Sequence, residues 1–99
     1  MAKALKSEDI IREIIFSFLD PKKYKVFIFG SRASGKHSKY SDYDVGIASE
    51  KALPSETKVL IEEAMEESDL PCKVDIVDFS LVSDDFRKTA LSSVVELKP

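Results

Sequence analysis

The 99-residue sequence predicts an α/β (α+β) fold: a small mixed β-sheet with helices packed on it. Two observations carry that expectation. Apolar residues recur at helical spacing near the start of the chain and again in its middle, while three short runs between and after them are rich in β-branched and aromatic residues. The order helix–strand–strand–helix–strand–helix then requires a mixed sheet. The short connection holding Gly30 and Gly35 makes a parallel crossover between the first two strands improbable on steric grounds.

Taken in order, Ser7 is placed to cap a helix over residues 7–19, with Glu8 and Asp9 in its first turn. Ile10, Ile11, Ile14, Ile15, Phe18 and Leu19 form its apolar face, and Pro21 ends it. Tyr24 to Phe29 reads as a largely buried strand with Lys25 near its entrance. Gly30 closes this strand, and at most one helical turn follows Ser31. Asp42 to Ala48 alternates strictly, so Asp42, Asp44 and Gly46 share one face while Tyr43, Val45 and Ile47 share the other. Pro54 and Ser55 start a helix whose expected stripe is Val59, Leu60, Ile61, Ala64 and Met65, with Leu70-Pro71 as its stop. Lys73 to Phe79 is a third strand, with Val74, Ile76 and Asp78 on one face and Asp75, Val77 and Phe79 on the other. Ser83 caps a last helix over 84–92, with Phe86, Ala90 and Leu91 available for packing. Residues Val94 to Leu97 extend that helix or form a short edge strand, and the pattern does not choose.

Length and composition set the limits. Residues 1–99 are expected to form a single domain with one ordinary core, at 43% hydrophobic and 33% charged residues. The single cysteine, Cys72, excludes an internal disulfide and a cysteine-based zinc site. The N-terminal segment is broken by acidic and basic residues, and no stretch approaches the ~18–20 apolar residues that span a bilayer. A cytoplasmic protein without membrane contact is the expectation. Net charge is −3, against bulk nucleic-acid binding. Yet Lys22, Lys23, Lys25, Arg32, Lys36 and Lys39 crowd a window free of acids, bracketed by Asp20 and Asp42. That arrangement suits a small polyanion held together with a metal.

The chemistry concentrates between Phe29 and Ile47. Asp42 and Asp44 project from one face of a strand, roughly 7 Å apart along it, and so repel unless a cation or water separates them. Hard oxygen ligands of this kind suit Mg²⁺, or Mn²⁺, shared with substrate phosphates. Gly30-Ser31 follows a buried strand, where a residue without a side chain lets a phosphate reach the backbone N–H groups. Asp75 sits among apolar residues and needs a partner. If its face coincides with that of Asp42 and Asp44, three carboxylates converge in the layout of a two-metal phosphoryl-transfer site.

Two competing readings fall short. Gly30 to Lys36 satisfies Gly-x-x-x-x-Gly-Lys, but His37 replaces the Mg²⁺-binding hydroxyl and no long helix follows. His37 itself lies among polar loop residues with no Ser-His-Asp arrangement, and reads as a solvated histidine that could contact a phosphate or partner; Tyr40 and Tyr43 read as structural, although Tyr40 could stack near a base.

Gly30-Ser31, ten intervening residues and Asp42-Tyr43-Asp44 resemble the Gly-Ser-x10-Asp-x-Asp signature of the DNA polymerase β nucleotidyltransferase superfamily. Gly-Ser-Arg-Ala-Ser-Gly and Ser-Asp-Tyr-Asp-Val look most like its minimal nucleotidyltransferase branch, although Ser34 stands where that branch often has a second arginine. The resemblance runs from Tyr24 to Phe79. It implies that Gly30 and Ser31, with Arg32, bind a nucleoside triphosphate, expected to be ATP. It also implies that Asp42, Asp44 and Asp75 are the catalytic residues and ligate two Mg²⁺ ions. The implied reaction moves a nucleoside monophosphate, AMP, to a hydroxyl acceptor. Members of the branch occur as antitoxins beside small helical HEPN-type partners, and some transfer AMP to a partner tyrosine. Self-association is left open. The alternative is a non-catalytic binding module that neutralises a helical partner by contact.

Overall fold

The computed structural model describes residues 7–35 and 41–99. Its elements are α1 (Ser7–Phe18), β1 (Lys25–Phe29), α2 (Ser31–Ser34), β2 (Tyr43–Ala48), α3 (Ser55–Glu67), β3 (Val74–Asp78), α4 (Asp84–Ala90) and β4 (Val95–Leu97). The sheet order is β3-β2-β1-β4. β1 runs antiparallel to both β2 and β4, and β2 runs parallel to β3. The expected mixed sheet forms, and the tail residues left open by the pattern resolve as an edge strand paired with β1.

Alternation sorts the strand side chains onto two faces. Val26 and Ile28 of β1, Tyr43, Val45 and Ile47 of β2 and Ile76 of β3 join Ile11, Ile15, Leu19, Ile61, Met65 and Leu97 in one core. α1 and α3 supply its helical layer because their buried residues, Ile11 and Ile15 or Ile61 and Met65, lie one turn apart. Burying a side chain of this size contributes about 1.5–3 kcal/mol, so this face dominates stability. The opposite face carries a smaller aromatic cluster of Phe27, Phe29 and Phe79, against which Val82 and Ala90 pack. Phe27 and Phe79 meet edge to face at 4.8 Å. Gly46 lies beneath them, and any Cβ there would collide with both rings. β1 is therefore covered on both sides, as its unbroken apolar run requires.

Beyond shifts of one residue at element ends, the helices α3 and α4 differ from the sequence pattern. The α3 stripe is narrower than expected: Val59 and Leu60 are each about half exposed. At 100° per residue they fall outside the arc centred on Ile61 and Met65. α3 also ends at Glu67 rather than at Leu70-Pro71, because the backbone N–H and the hydroxyl of Ser68 both turn back to the Met65 carbonyl. α4 stops at Ala90, with Leu91 exposed instead of packed. Its expected cap is present, since the Phe86 N–H donates to the Ser83 hydroxyl at 3.2 Å.

Candidate active site

Strand register decides which acidic groups meet. In the parallel β2–β3 pair Asp44 lies directly opposite Asp75, and in the antiparallel β1–β2 pair it lies opposite Phe29. Directly opposed residues project from the same face. A row of Phe29, Asp44 and Asp75 thus crosses the sheet on its aromatic face, with Asp42 two residues before Asp44. Burial, then the negative charges of Asp75 and Asp42, hold the Asp44 carboxyl above the ordinary aspartate range. Asp44 therefore lies within electrostatic reach of both Asp75 and Asp42.

Gly30 completes the row from the β1 side. Its φ of +74° lies in the region that favours glycine. A Cβ placed on it would stand 2.5 Å from Asp44 Oδ2. The phosphate-turn candidate and the carboxylate candidate are hence in contact through the space a side chain would fill. The Gly30 carbonyl accepts from the N–H groups of Ala33 and Ser34, which winds the single turn α2. Gly35 ends the turn in the left-handed region at φ +79°. A helix of one turn is not the long helix a P-loop caps, and Lys36, His37, Lys39 and Tyr40 lie outside the described residues.

Arg32 ties the turn to its surroundings. Its Nε and Nη2 donate to the Ser41 carbonyl at 3.1 and 2.8 Å, Nη2 also approaches Cys72 Sγ at 3.3 Å, and the guanidinium lies 4.2 Å over the Tyr43 ring. Tyr43 belongs to the helix-covered face. Arg32 therefore straps the turn to the entrance of β2 and sets where Asp42 begins.

The donor set suits a hard divalent cation, because three crowded carboxylates are relieved by positive charge. As the side chains stand, no group of three or more His, Cys, Asp or Glu among the described residues is drawn together as a ready metal cluster. Mg²⁺ does not require one, since it commonly takes one or two carboxylates and completes its shell with substrate phosphates and water.

One acidic residue escaped the functional reading of the sequence. Asp78 is 8% exposed on the helix-covered face and accepts from the Leu53 N–H at 2.8 Å, the Ser80 N–H at 2.9 Å and the Ser80 hydroxyl at 2.7 Å. Burial alone would raise its pKa. The Ser80 hydroxyl, the two N–H groups and the charge of Lys58 together hold it below the ordinary range. Its role is to pin the loop before α3 to the end of β3. The signal was present as Asp78-Phe-Ser80, an Asx-turn spacing.

A four-stranded mixed sheet in this order, with helices packed on it, is a nucleotidyltransferase-like fold. Residues 10–98 match the family described as Polymerase beta, Nucleotidyltransferase. The chain belongs to that family. It is 45% identical over 85 residues to the Haemophilus influenzae protein named "Probable protein adenylyltransferase MntA", a match covering 85% of this chain and 74% of the relative. A crystal structure described as the toxin-antitoxin with AMP-PNP superposes with a TM-score of 0.75 at 20% identity, covering 94% of this chain and 73% of its own. The structure of tri-AMPylated Shewanella oneidensis HEPN toxin in complex with MNT antitoxin superposes with a TM-score of 0.62 at 20% identity, covering 92% and 71%. Among the described residues no helix is long and apolar enough to cross a membrane.

Proposed function

We propose that the protein is a Mg²⁺-dependent nucleotidyltransferase that moves AMP from ATP to a tyrosine hydroxyl of a small helical HEPN-type partner. In this role it acts as a cytoplasmic antitoxin. The observation that carries the reading is the position of Asp44, against Gly30 on one side and opposite Asp75 on the other. The names of the 45% identical relative and of the solved neighbours support the choice of AMP and of partner.

In this reading the backbone of Gly30 and Ser31 holds the β- and γ-phosphates, and the missing Cβ at Gly30 makes the room. Asp42, Asp44 and Asp75 would hold Mg²⁺, whose chemistry here is to neutralise charge on the phosphates and acidify the acceptor hydroxyl. The acceptor oxygen bonds to the α-phosphorus as the α–β bridging P–O bond breaks in line with it. Pyrophosphate leaves with the bridging oxygen, and the hydroxyl proton passes to the Asp75 carboxylate. Arg32 contributes by keeping the phosphate turn fixed relative to Asp42 through Ser41.

The test incubates the protein with α-labelled ATP, Mg²⁺ and the partner protein. Labelling of the partner should require Asp42 and Asp44 and disappear when its acceptor tyrosine is changed to phenylalanine. Labelling unaffected by Asp42→Asn with Asp44→Asn would overturn the reading. Neutralisation of the partner that persists in that double variant without labelling would instead favour the contact-only module.

A further inference from the structure

A cavity of about 320 Å³ opens beside Gly30 and between α2 and α4. Its walls include Phe29, Gly30, Ser34, Phe86, Thr89 and Ser93, and among the described residues no charged one lines it. Ligand pockets begin at roughly 300 Å³, so this one is sized for a single small heterocycle with its sugar. The lining is aromatic and hydroxyl-bearing, which suits a neutral, planar, hydrogen-bonding group.

Phe86 is the conspicuous residue here. It makes a T-shaped contact with Phe29, with centroids 6.0 Å apart and planes at 83°, and lies 5.8 Å from Phe79. It nevertheless stays 42% exposed. A ring held by two aromatic neighbours, with much of its surface in water, can serve as a stacking platform. The hydroxyls beside it lean on the backbone: Thr89 Oγ1 donates to the Asp85 carbonyl and Ser92 Oγ to the Thr89 carbonyl. Their oxygens are left to accept from a base amino group.

We infer that this cavity holds the nucleoside part of the triphosphate, with the base stacked on Phe86. The inference rests on the phosphate-binding reading of Gly30 and Ser31, because Gly30 belongs to both the cavity wall and the phosphate turn. Phe86 is then the residue that distinguishes a nucleotide from a bare polyphosphate. The carboxylate row takes no part in that discrimination.

The chain contains no tryptophan, so Phe86→Trp introduces a single indole reporter at the platform. Binding of ATP and of inorganic triphosphate, each with Mg²⁺, is measured on the wild-type protein, Phe86→Ala and Phe86→Trp. The wild type should prefer ATP about tenfold, equivalent to ~1.4 kcal/mol, at the low end of base–aromatic stacking. Phe86→Ala should bind the two ligands alike, with triphosphate affinity unchanged. Phe86→Trp should keep the preference, and its fluorescence should be quenched by ATP and not by triphosphate. An undiminished ATP preference in Phe86→Ala, an equal loss for both ligands, or quenching by both would overturn the inference. If the wild type binds triphosphate without preferring ATP, the inference alone fails. If it binds neither ligand, the phosphate reading of Gly30 and Ser31 fails as well.

Discussion

On one face of the sheet Ile11, Ile15, Val45 and Ile61 are wholly buried beneath two helices; on the other, Asp42 is exposed and Asp44 only half-buried beside Asp75. The same strands build both faces, since alternate residues of β2 and β3 go opposite ways. Two aspartates show how differently the faces treat the same side chain. Asp78, on the helix side, receives three hydrogen bonds that more than offset its burial, so its charge is welcomed. Asp44, on the aromatic side, meets burial and two other negative charges, so its charge is resisted. On the proposed function, the carboxylate that serves architecture is satisfied within the chain, whereas the one assigned to chemistry has its charge opposed until a cation binds.

The contrast can be broken most severely at the open face. Asp42→Asn with Asp44→Asn should reduce AMP transfer by three orders of magnitude or more, on the order of 4 kcal/mol in transition-state stabilisation. Thermal melting of the metal-free protein should stay level or rise, because crowded negative charge has been removed; a large fall in Tm would make these residues structural. On the helix face the expectation reverses. Ile61→Ala should cost about 2–5 kcal/mol in denaturant unfolding, while transfer per folded molecule stays near wild type.

Gly30→Ala tests the seam between the faces. Its φ and the Asp44 contact should together cost about 1–2 kcal/mol of stability and remove most transfer activity. A Gly30→Ala protein with normal transfer kinetics would show that Asp44 can move aside freely. The smallest effect is in pH. Asp78 titrates below the ordinary aspartate range, so its contribution is complete above about pH 4 and is lost as pH falls through its folded-state pKa. Asp44 has the opposite sign: its raised pKa makes the ionised form a penalty that is relieved as pH falls through that value. Acid unfolding curves of Asp78→Asn and Asp44→Asn should therefore diverge in opposite directions from wild type.

Most of the architecture was legible because period-two and period-3.6 patterns are strong in β1, β2, β3 and α1. Alternation alone put Asp42 and Asp44 on one face, and left open whether Asp75 shares it. Their meeting required the β2–β3 register, which a single sequence does not contain, because it depends on how α3 carries the chain back. Arg32 was expected at the nucleotide; its contacts to Ser41 and Tyr43 were not legible in the sequence. A long flexible side chain beside a turn has several reachable acceptors, and tertiary packing selects among them. Val59 and Leu60 looked like core because hydrophobicity counts residues, whereas burial counts angles around the helix. Phe86 was expected only as packing material. That it keeps an exposed ring is a consequence of where α4 lies across the sheet.

The position of β1 bears on how the chain is made. It pairs locally with β2, but its other edge pairs with β4, and Val26 lies opposite Leu97, 71 positions later (97 − 26). During synthesis α1, β1 and the hairpin with β2 can assemble while the far edge of β1, apolar on both faces, still lacks its partner. Until Leu97 has emerged from the ribosome that edge is a template for wrong pairings. Three residues of β4 thus act as a late-arriving seal, and such long-range closure makes folding slower than the small size of the domain suggests.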